Sequence, residues 1–187
     1  MKLRALYAMS LLTISGTALA DAIDINLRDS AAQIQYRASM GHDTLGRSEM
    51  HMGFLYTNDK GKLGDLGILV QDEVGKDVPG LTAGVGLKGV VANIQSKNSS
   101  ALALGGLLRY APLENRRFGI TGVVYLSPNI VTFGDAERYT ETGLSLDFEI
   151  IPQAVAYVGY RHVKLAMANS SDLTVDEGVH VGVKLSF

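Results

Sequence analysis

The last eleven residues of the chain, EGVHVGVKLSF, alternate strictly between apolar side chains and polar or small ones. One face of the extended segment carries Val179, Val181, Val183, Leu185 and Phe187. A period of two residues is typical of a β-strand whose two faces lie in different surroundings. It excludes an amphipathic helix, in which apolar residues recur every three or four positions.

The same alternation recurs along most of the chain, and clusters of turn-forming residues such as NDKGK (58–62) and QSKNSS (95–100) separate the segments. We predict about ten strands, with eight as the alternative if the first hairpin lies outside the sheet. The predicted strands lie near residues 22–28, 31–40, 48–57, 63–72, 80–94, 99–110, 117–127, 139–150, 153–165 and 176–187. No linker divides them, so residues 21–187 form one predicted domain.

Residues 84–89, GVGLKG, match the G-x-G-x-x-G pattern of a dinucleotide-binding turn. That turn requires a helix after the glycines, because the pyrophosphate sits at the helix N-terminus. The surrounding sequence instead continues the alternation, with Val85 and Leu87 on the apolar face and Gly84 and Gly86 on the other. We therefore predict one continuous strand and no cofactor.

Two kinds of fold have strands with a single apolar face, the soluble β-sandwich and the transmembrane β-barrel. Sandwich strands expose charge on their outer face, whereas barrel strands turn a polar face toward a confined lumen. The polar faces of this chain are rich in Gly, Ala, Ser and Thr, with sparse charges of both signs. This composition favours an all-β fold, a transmembrane antiparallel up-and-down β-barrel.

Seven charged residues on the polar faces are predicted to share the lumen: Arg37, Glu49, Arg109, Asp147, Glu149, Arg161 and Lys184. Unpaired charges are costly in a narrow interior, so we expect pairs of arginine and carboxylate that span the lumen and leave at most a thin water path. The pattern is compatible with a narrow channel and with a plugged lumen.

The first twenty residues, MKLRALYAMSLLTISGTALA, place Lys2 and Arg4 before an apolar run and end on the small residues Ala18 and Ala20. This is the pattern of a Sec signal peptide cleaved after Ala20. We therefore predict export to the cell outer membrane. Without Lys2 and Arg4 the chain keeps 15 of its 17 basic residues against 19 acidic ones, a net charge of −4, and this charge does not indicate a nucleic-acid partner.

The lengths of the predicted connections indicate an orientation. If both termini face the periplasm, the odd-numbered connections are extracellular, and extracellular connections are usually the longer ones. The two longest, 128–138 and 166–175, are the seventh and the ninth, whereas the tight proline-containing turns at 111–116 and 151–152 are the sixth and the eighth.

The histidines are the first candidates for chemistry. His51 and His180 lie on polar faces, and together with Glu49 they are the candidate ligands of a metal. Their strands are far apart in sequence and no H-x-H or H-x-x-x-H spacing occurs, so we predict hydrogen-bonding roles in the lumen and no metal site.

A further histidine, His162 in GYRHVKLAMANSS, resembles the catalytic histidine of lipid A deacylases, which follows an aromatic-rich strand. Those enzymes have a serine two residues further on, where this chain has Lys164. No clear third member of a catalytic triad is present in the sequence. We therefore predict no catalytic residue and no enzymatic activity.

Two segments between strands stand out. The connection SPNIVTFGDAERY (127–139) is a candidate plug, strand extension or partner-binding loop, and we favour a strand extension that ends in a rim aromatic at Tyr139. Asp172, Asp176 and Glu177 do not follow the D-x-D-x-D-G pattern of a calcium loop. We expect them on a solvated extracellular surface, where divalent cations could bridge them to lipopolysaccharide.

The C-terminal residues GVKLSF resemble the assembly signal of bacterial outer-membrane β-barrels, in which a glycine is followed by spaced hydrophobic residues and a terminal aromatic. The matching positions are Gly182, Leu185 and Phe187. The signal usually has a polar residue before the glycine, and this chain departs from it at Val181.

Nearly the whole chain after residue 20 resembles the YfaZ family of outer-membrane proteins, notably in residues 109–150 and in AYVGYRHVKL (156–165). The resemblance implies an outer-membrane barrel of Gram-negative bacteria and transfers no catalytic residue. The partners it implies are outer-membrane lipids and lipopolysaccharide, the barrel assembly machinery and periplasmic chaperones.

We therefore predict an outer-membrane barrel that acts as a narrow, porin-like channel or as a general envelope protein. The alternatives are an adhesion or ligand-binding barrel and a lipid A-modifying acyl hydrolase.

Overall fold

The computed structural model describes residues 21–187 apart from residues 45, 59–60, 76–77, 96 and 168–170. The predicted signal peptide, residues 1–20, lies outside the described residues. No helix in the described ranges is long and apolar enough to cross a membrane. Two short 3-10 helices, Leu113–Asn115 and Asn129–Val131, lie in connections.

The rest of the described chain is dominated by β-strands. They are β1 (Ala22–Arg28), β2 (Ala31–Asp43), β3 (Gly46–Thr57), β4 (Gly61–Glu73), β5 (Leu81–Ile94), β6 (Lys97–Tyr110), β7 (Phe118–Ser127), β8 (Thr132–Gly134), β9 (Ala136–Ile151), β10 (Ala154–Met167) and β11 (Leu173–Ser186).

All strands except the three-residue β8 join one closed antiparallel ring in chain order. The ring closes where β1 pairs with β11, from Ala22 opposite Ser186 to Leu27 opposite Val181. Ten strands about 4.8 Å apart and tilted by roughly 40° form a barrel about 20 Å across. The predicted ten-stranded up-and-down barrel is confirmed.

The apolar face of the strands points away from the barrel axis. In β11, Val181 is 59% exposed, whereas the preceding His180 is 9% exposed. Exposed apolar side chains recur at alternate positions around the ring, including Met52 and Phe54 of β3 and Leu144 of β9. A continuous apolar surface of this extent is typical of a barrel whose outer wall contacts lipid.

The glycine pattern at residues 84–89 lies inside β5, which continues without interruption to Ile94. A Cβ atom at Gly86 would lie 2.7 Å from the Tyr125 hydroxyl oxygen and 2.8 Å from the Ile68 carbonyl oxygen. The glycine therefore makes room in a crowded interior, as the prediction of one continuous strand requires.

The connection 127–139 extends the sheet, as predicted. After β7, the chain makes a 3-10 turn and β8 pairs with residues 99–101 of β6. The prediction of a rim aromatic at Tyr139 was wrong, because β9 begins at Ala136 and Tyr139 is 0% exposed in the interior.

The two ends of the barrel differ in the connections they hold. The terminal end holds the first and last described residues, Asp21 and Phe187, and the connections after β2, β4, β6 and β9. The distal end holds the connections after β1, β3, β5, β7 and β10. Long connections occur at both ends, since β4 and β5 are separated by residues 74–80, so connection length alone does not fix the orientation.

Candidate functional site in the barrel lumen

The interior of the barrel changes in character from one end to the other. Near the distal end it is apolar, and we call this part the apolar plug. Its members are Leu55, Leu63, Val90, Ala92, Ile94, Ala101, Ala103, Val163, Leu165, Met167 and Val175. These residues come from β3–β6, β10 and β11 and form one contiguous buried cluster. The cluster therefore packs across the distal half of the lumen beside β3–β6, and polar side chains of β1 and β2 occupy the remaining side.

The composition of the inward positions produces the plug. In β3 the inward residues toward the distal end are Gly53 and Leu55, and in β10 they are Val163 and Leu165. Leu55 also has apolar neighbours on both sides in the chain, so both faces of the strand are apolar there. That local loss of alternation is the signal that could have revealed the plug from the sequence.

Buried polar side chains lie below the plug and beside it, and we call them the buried belt. It contains one group around Lys88 and Glu141 and a second group around Arg161 and Asp176. Both groups are enclosed by the walls of the barrel, with side-chain exposures of 5% for Lys88 and 2% for Asp176.

In the first group, the Lys88 ammonium donates a hydrogen bond to Glu141 Oε2, and the Tyr139 hydroxyl donates to the same oxygen. Lys88 Nζ also lies 4.4 Å from the ring centroid of Tyr125, a cation–π contact. A buried ion pair is stable only when hydrogen bonds offset the loss of hydration of both charges. The two tyrosines and the ion pair provide such a set.

In the second group, Asp176 accepts hydrogen bonds from the Arg161 guanidinium at 2.8 Å and 2.7 Å, and its other oxygen lies 3.1 Å from Arg28 Nη2. Arg161 Nη1 also donates to Asn26 Oδ1 at 3.3 Å and to Gln33 Oε1. This network links β1, β2, β10 and β11 on one side of the lumen.

The expectation that Asp176 lies on a solvated acidic surface was wrong. A β-bulge between Val163 and Lys164 shifts the register of β10 against β11, so that Val163 faces Asp176 and Lys164 faces Thr174. Asp176 lies on the terminal side of this bulge, in phase with the inward residues Gly178, His180 and Gly182, so the alternation of β11 itself turns it into the lumen. Asp172 and Glu177 remain half-exposed at the distal end.

Below the buried belt, toward the terminal end, the interior residues are partly exposed, and we call this space the vestibule. Its wall carries Asp24, Arg37, Glu49, Gln71, Arg109, Thr121, Ser145, Asp147, Glu149 and Lys184. The side chains of Arg37 and Arg109 are 31% and 36% exposed. The vestibule is therefore open to solvent at the terminal end and blind at the plug.

The seven charges predicted for the lumen occupy inward positions of their strands, but they do not form one network. Arg161 belongs to the buried belt, and the others lie in the vestibule. Arg109 Nε is 3.5 Å from Asp147 Oδ2, and Glu49 accepts a hydrogen bond of 2.7 Å from Gln71 Nε2.

Sequence reasoning missed the partners of several of these charges. Arg37 lies 3.7 Å from Asp24, and Arg161 binds Asp176. Lys88 and Glu141 were missed together. The alternation places Asp24, Lys88 and Asp176 on the interior face, so the signal was present for all three.

The two interior histidines lie apart from one another. His51 Nε2 is 3.6 Å from Asp65 Oδ1, and the His180 ring packs edge-on against Tyr157 with centroids 5.9 Å apart. Glu49 is bound to Gln71 instead of to either histidine. Within the described ranges, no group of three or more potential ligands is placed to hold a metal ion.

The outer wall near the distal end carries the histidine that resembles the one in lipid A deacylases. His162 Nδ1 lies 3.7 Å from Glu177 Oε2, and the Tyr160 hydroxyl donates to Glu177 Oε1 at 3.0 Å. Glu177 is thus a carboxylate partner that the sequence had not indicated. Lys164 stands at the nucleophile position and forms an ion pair of 2.6 Å with Asp172. This hydrogen bond lowers the pKa of the Asp172 carboxyl.

The residues of the predicted assembly signal lie in the last strand. Leu185 and Phe187 are exposed on the outer wall, and Gly182 faces the interior under the Tyr157 ring. The backbone of Phe187 exchanges hydrogen bonds of 2.9 Å and 3.1 Å with Asp21, so the terminal residue takes part in closing the ring.

The closed ring, the apolar outer wall and the polar interior define the class of transmembrane β-barrels of the outer-membrane type. The full sequence, residues 1–187, matches the family described as YfaZ precursor. The chain therefore belongs to the YfaZ family.

Among solved structures, the chain is similar to the outer membrane channel DcaP of Acinetobacter baumannii, with 12% identity and a TM-score of 0.47. That likeness covers 88% of this chain and 54% of DcaP, so the chain spans about half the length of DcaP. It is also similar to KdgM porin, with 11% identity, a TM-score of 0.46 and coverage of 90% and 99%. Likenesses at this level transfer no function. No curated protein matches the sequence.

Proposed function

We propose that this protein is a closed barrel of the bacterial outer membrane, a narrow channel scaffold whose lumen is sealed at one end, with no enzymatic activity. The apolar plug supports this proposal most directly. A hydrophobic constriction that excludes water blocks ions, because an ion entering it would lose its hydration without gaining polar partners.

The proposed location rests on two further features. The outer wall is apolar around the ring, and the sequence begins with the pattern of a Sec signal peptide. With both termini in the periplasm, the vestibule opens to the periplasm and the plug lies toward the outside of the cell.

The lumen proposal is tested by conductance of the refolded protein in planar bilayers. Wild-type protein should show little or no conductance. The double variant Leu55→Ala/Leu165→Ala removes two plug side chains from different walls. It should open a water-filled path and give stepwise increases in conductance. The matched control, Leu66→Ala/Leu144→Ala on the outer wall, should stay silent. A large, steady wild-type conductance would refute the sealed lumen.

We also propose that the barrel assembly machinery recognises the C-terminal strand. Deletion of Phe187 removes the terminal aromatic and its two backbone bonds to Asp21. Assembly in cells should fall much more than the yield of refolding in detergent, measured by the gel shift between unboiled and boiled samples. Equal losses in both measurements would indicate a purely structural role.

The acyl-hydrolase alternative is less favoured, because the position two residues after His162 is a lysine already paired with Asp172. The absence of hydrolysis is tested by incubating the refolded barrel with lipid A and measuring acyl loss by mass spectrometry. Acyl release that disappears in the variant His162→Ala would overturn this part of the proposal.

A further inference from the structure

The vestibule contains three cations that are only loosely paired. Arg37 Nη2 lies 3.7 Å from Asp24 Oδ2, and Arg109 Nε lies 3.5 Å from Asp147 Oδ2, both longer than a good charge-assisted hydrogen bond. Lys184, which faces the same space, has no ion pair or hydrogen bond of its ammonium within the described part of the chain.

The carboxylates of the same wall are already bound by neutral donors. Asp24 Oδ1 accepts a hydrogen bond of 2.5 Å from the Tyr157 hydroxyl. Asp147 accepts hydrogen bonds from Thr121 at 2.6 Å and from Ser145 at 2.9 Å. Arg37 Nε and Nη2 donate to Gln35 Oε1 at 3.1 Å and 2.8 Å. The hydrogen-bonding capacity left in this space is therefore that of the other edge of the Arg37 guanidinium, of the Arg109 guanidinium and of the Lys184 ammonium.

The three cations also lie close enough to act together. Lys184 stands opposite Asp24 in the pairing of β1 with β11, and Asp24 is the ion-pair partner of Arg37. Asp147, the ion-pair partner of Arg109, stands opposite Tyr157, whose hydroxyl binds Asp24. These five groups come from β1, β2, β6, β9 and β11, so they surround the vestibule instead of lying along one strand. These three positive and two negative charges give a net charge of +1 around the cations, and Glu49 and Glu149 bring the whole wall of the vestibule to −1.

We propose that the vestibule is a binding site for a small anion that carries a carboxylate or phosphate group and enters from the terminal end. The guanidinium groups of Arg37 and Arg109 offer paired N–H donors that match either group, and Lys184 adds a point charge. The site deepens the proposed function, since the plug makes it a blind pocket.

Two further carboxylates restrict the size of the ligand. Glu149 is the next inward residue after Asp147 toward the terminal end, and Glu49 stands opposite Ser39, the next inward residue after Arg37. A long polyanion would have to place negative charges beside them, which is unfavourable, whereas a small anion reaches the three cations without doing so. The structure therefore favours a mono- or dianion.

The inference is tested with inorganic phosphate and acetate as separate probes, by titrating each into the refolded barrel in a detergent without phosphate. Binding is measured from the concentration dependence of the phosphorus-31 or carbon-13 line width. The variants Arg37→Gln, Arg109→Gln and Lys184→Gln should each weaken binding about tenfold, the effect of losing one charge-assisted contact. The matched control Arg116→Gln, in the exposed connection at the terminal end, should leave it unchanged.

The two probes separate phosphate from carboxylate as the preferred group. Line widths that do not saturate, or that respond equally in Arg116→Gln and the three vestibule variants, would overturn the site. The gel shift on boiling shows that each variant is folded. Saturable binding in a barrel that conducts freely would refute the sealed lumen and leave the anion site standing. A barrel that neither conducts nor binds either probe would refute the anion site and leave the sealed lumen standing.

Discussion

The two halves of the lumen are built by the same strands but differ in what their inward side chains meet. In the distal half, aliphatic side chains from opposite walls touch one another, and the charges beneath them are enclosed. In the terminal half, arginines and carboxylates stand around a space that solvent reaches. Inward residues of a narrow barrel therefore do not all share the same surroundings. The depth of a side chain along the barrel axis decides how much it contributes to stability.

This difference has an energetic basis. Where water is excluded, a charge must be matched by a hydrogen-bonded partner, as Lys88 is by Glu141 and Asp176 by Arg161. Where water is present, the same kinds of residue tolerate separations of 3.5 Å and more, as Arg109 and Asp147 do. Stability is thus concentrated in the distal half of the lumen, and the proposed anion site lies in the terminal half.

The largest effect is expected from breaking the enclosed ion pair. Lys88→Met leaves the Glu141 charge buried without its partner and should lower the free energy of unfolding by about 3–5 kcal/mol. The matched change in the vestibule, Arg109→Met, should lower it by about 0–1 kcal/mol, because Arg109 is 36% exposed and Asp147 keeps its hydrogen bonds from Thr121 and Ser145. Urea unfolding of the refolded barrel measures both.

A double variant, Lys88→Met/Glu141→Leu, should recover much of the loss, because it removes both charges together. Similar small losses for Lys88→Met and Arg109→Met would remove the distinction between the two halves.

The plug is expected to respond next. Leu55→Ala creates a cavity among side chains from several walls and should cost about 2–5 kcal/mol in unfolding free energy. Leu66→Ala, on the outer wall of the neighbouring strand, should cost less, because lipid or detergent fills the space that the side chain leaves. Equal urea midpoints for Leu55→Ala and Leu66→Ala would contradict the expected difference between the plug and the outer wall.

How much of this was predictable depends on the residue. The alternation in β11 predicted the strand and both of its faces, since the period of two is a local property. Continued from His180 through Gly178, the same alternation places Asp176 inward, so the expectation of a surface position contradicted the pattern of its own strand. The alternation did not pair Lys88 with Glu141, which belong to β5 and β9 and meet only when the ring closes.

The outer wall provides a third environment against which both halves of the lumen can be measured. Val181→Arg, near the centre of β11, should cost about 2–4 kcal/mol in lipid, because the charge enters the apolar band. On the inner wall, Gly182→Ala adds no charge, but its methyl group would collide with the Tyr157 ring. The loss of unfolding free energy there should depend on the volume of the new side chain. Gly182→Ser should then resemble Gly182→Ala. An arginine tolerated at residue 181 would contradict the assigned faces.

The smallest effect is expected at the distal rim, outside both halves of the lumen. The hydrogen bond from Lys164 lowers the pKa of Asp172 below its ordinary value of 3.8, so the ionised carboxyl favours the folded state. A group with a lowered pKa stabilises the fold above the ordinary value, and this stability is lost as the pH falls through the lowered one. The variant Asp172→Asn should therefore unfold at a slightly lower urea concentration than wild type at pH 7, and at the same concentration in strong acid.

Salt provides a second test of the same pair. The side chains of Lys164 and Asp172 are 40% or more exposed, so 1 M salt should also remove the difference at pH 7. The enclosed pair of Lys88 and Glu141 should keep its contribution in the same salt, because ions do not reach it. A salt response as large for Lys88→Met as for Asp172→Asn would mean that water and ions penetrate the distal half, and the contrast between plug and vestibule would then be lost.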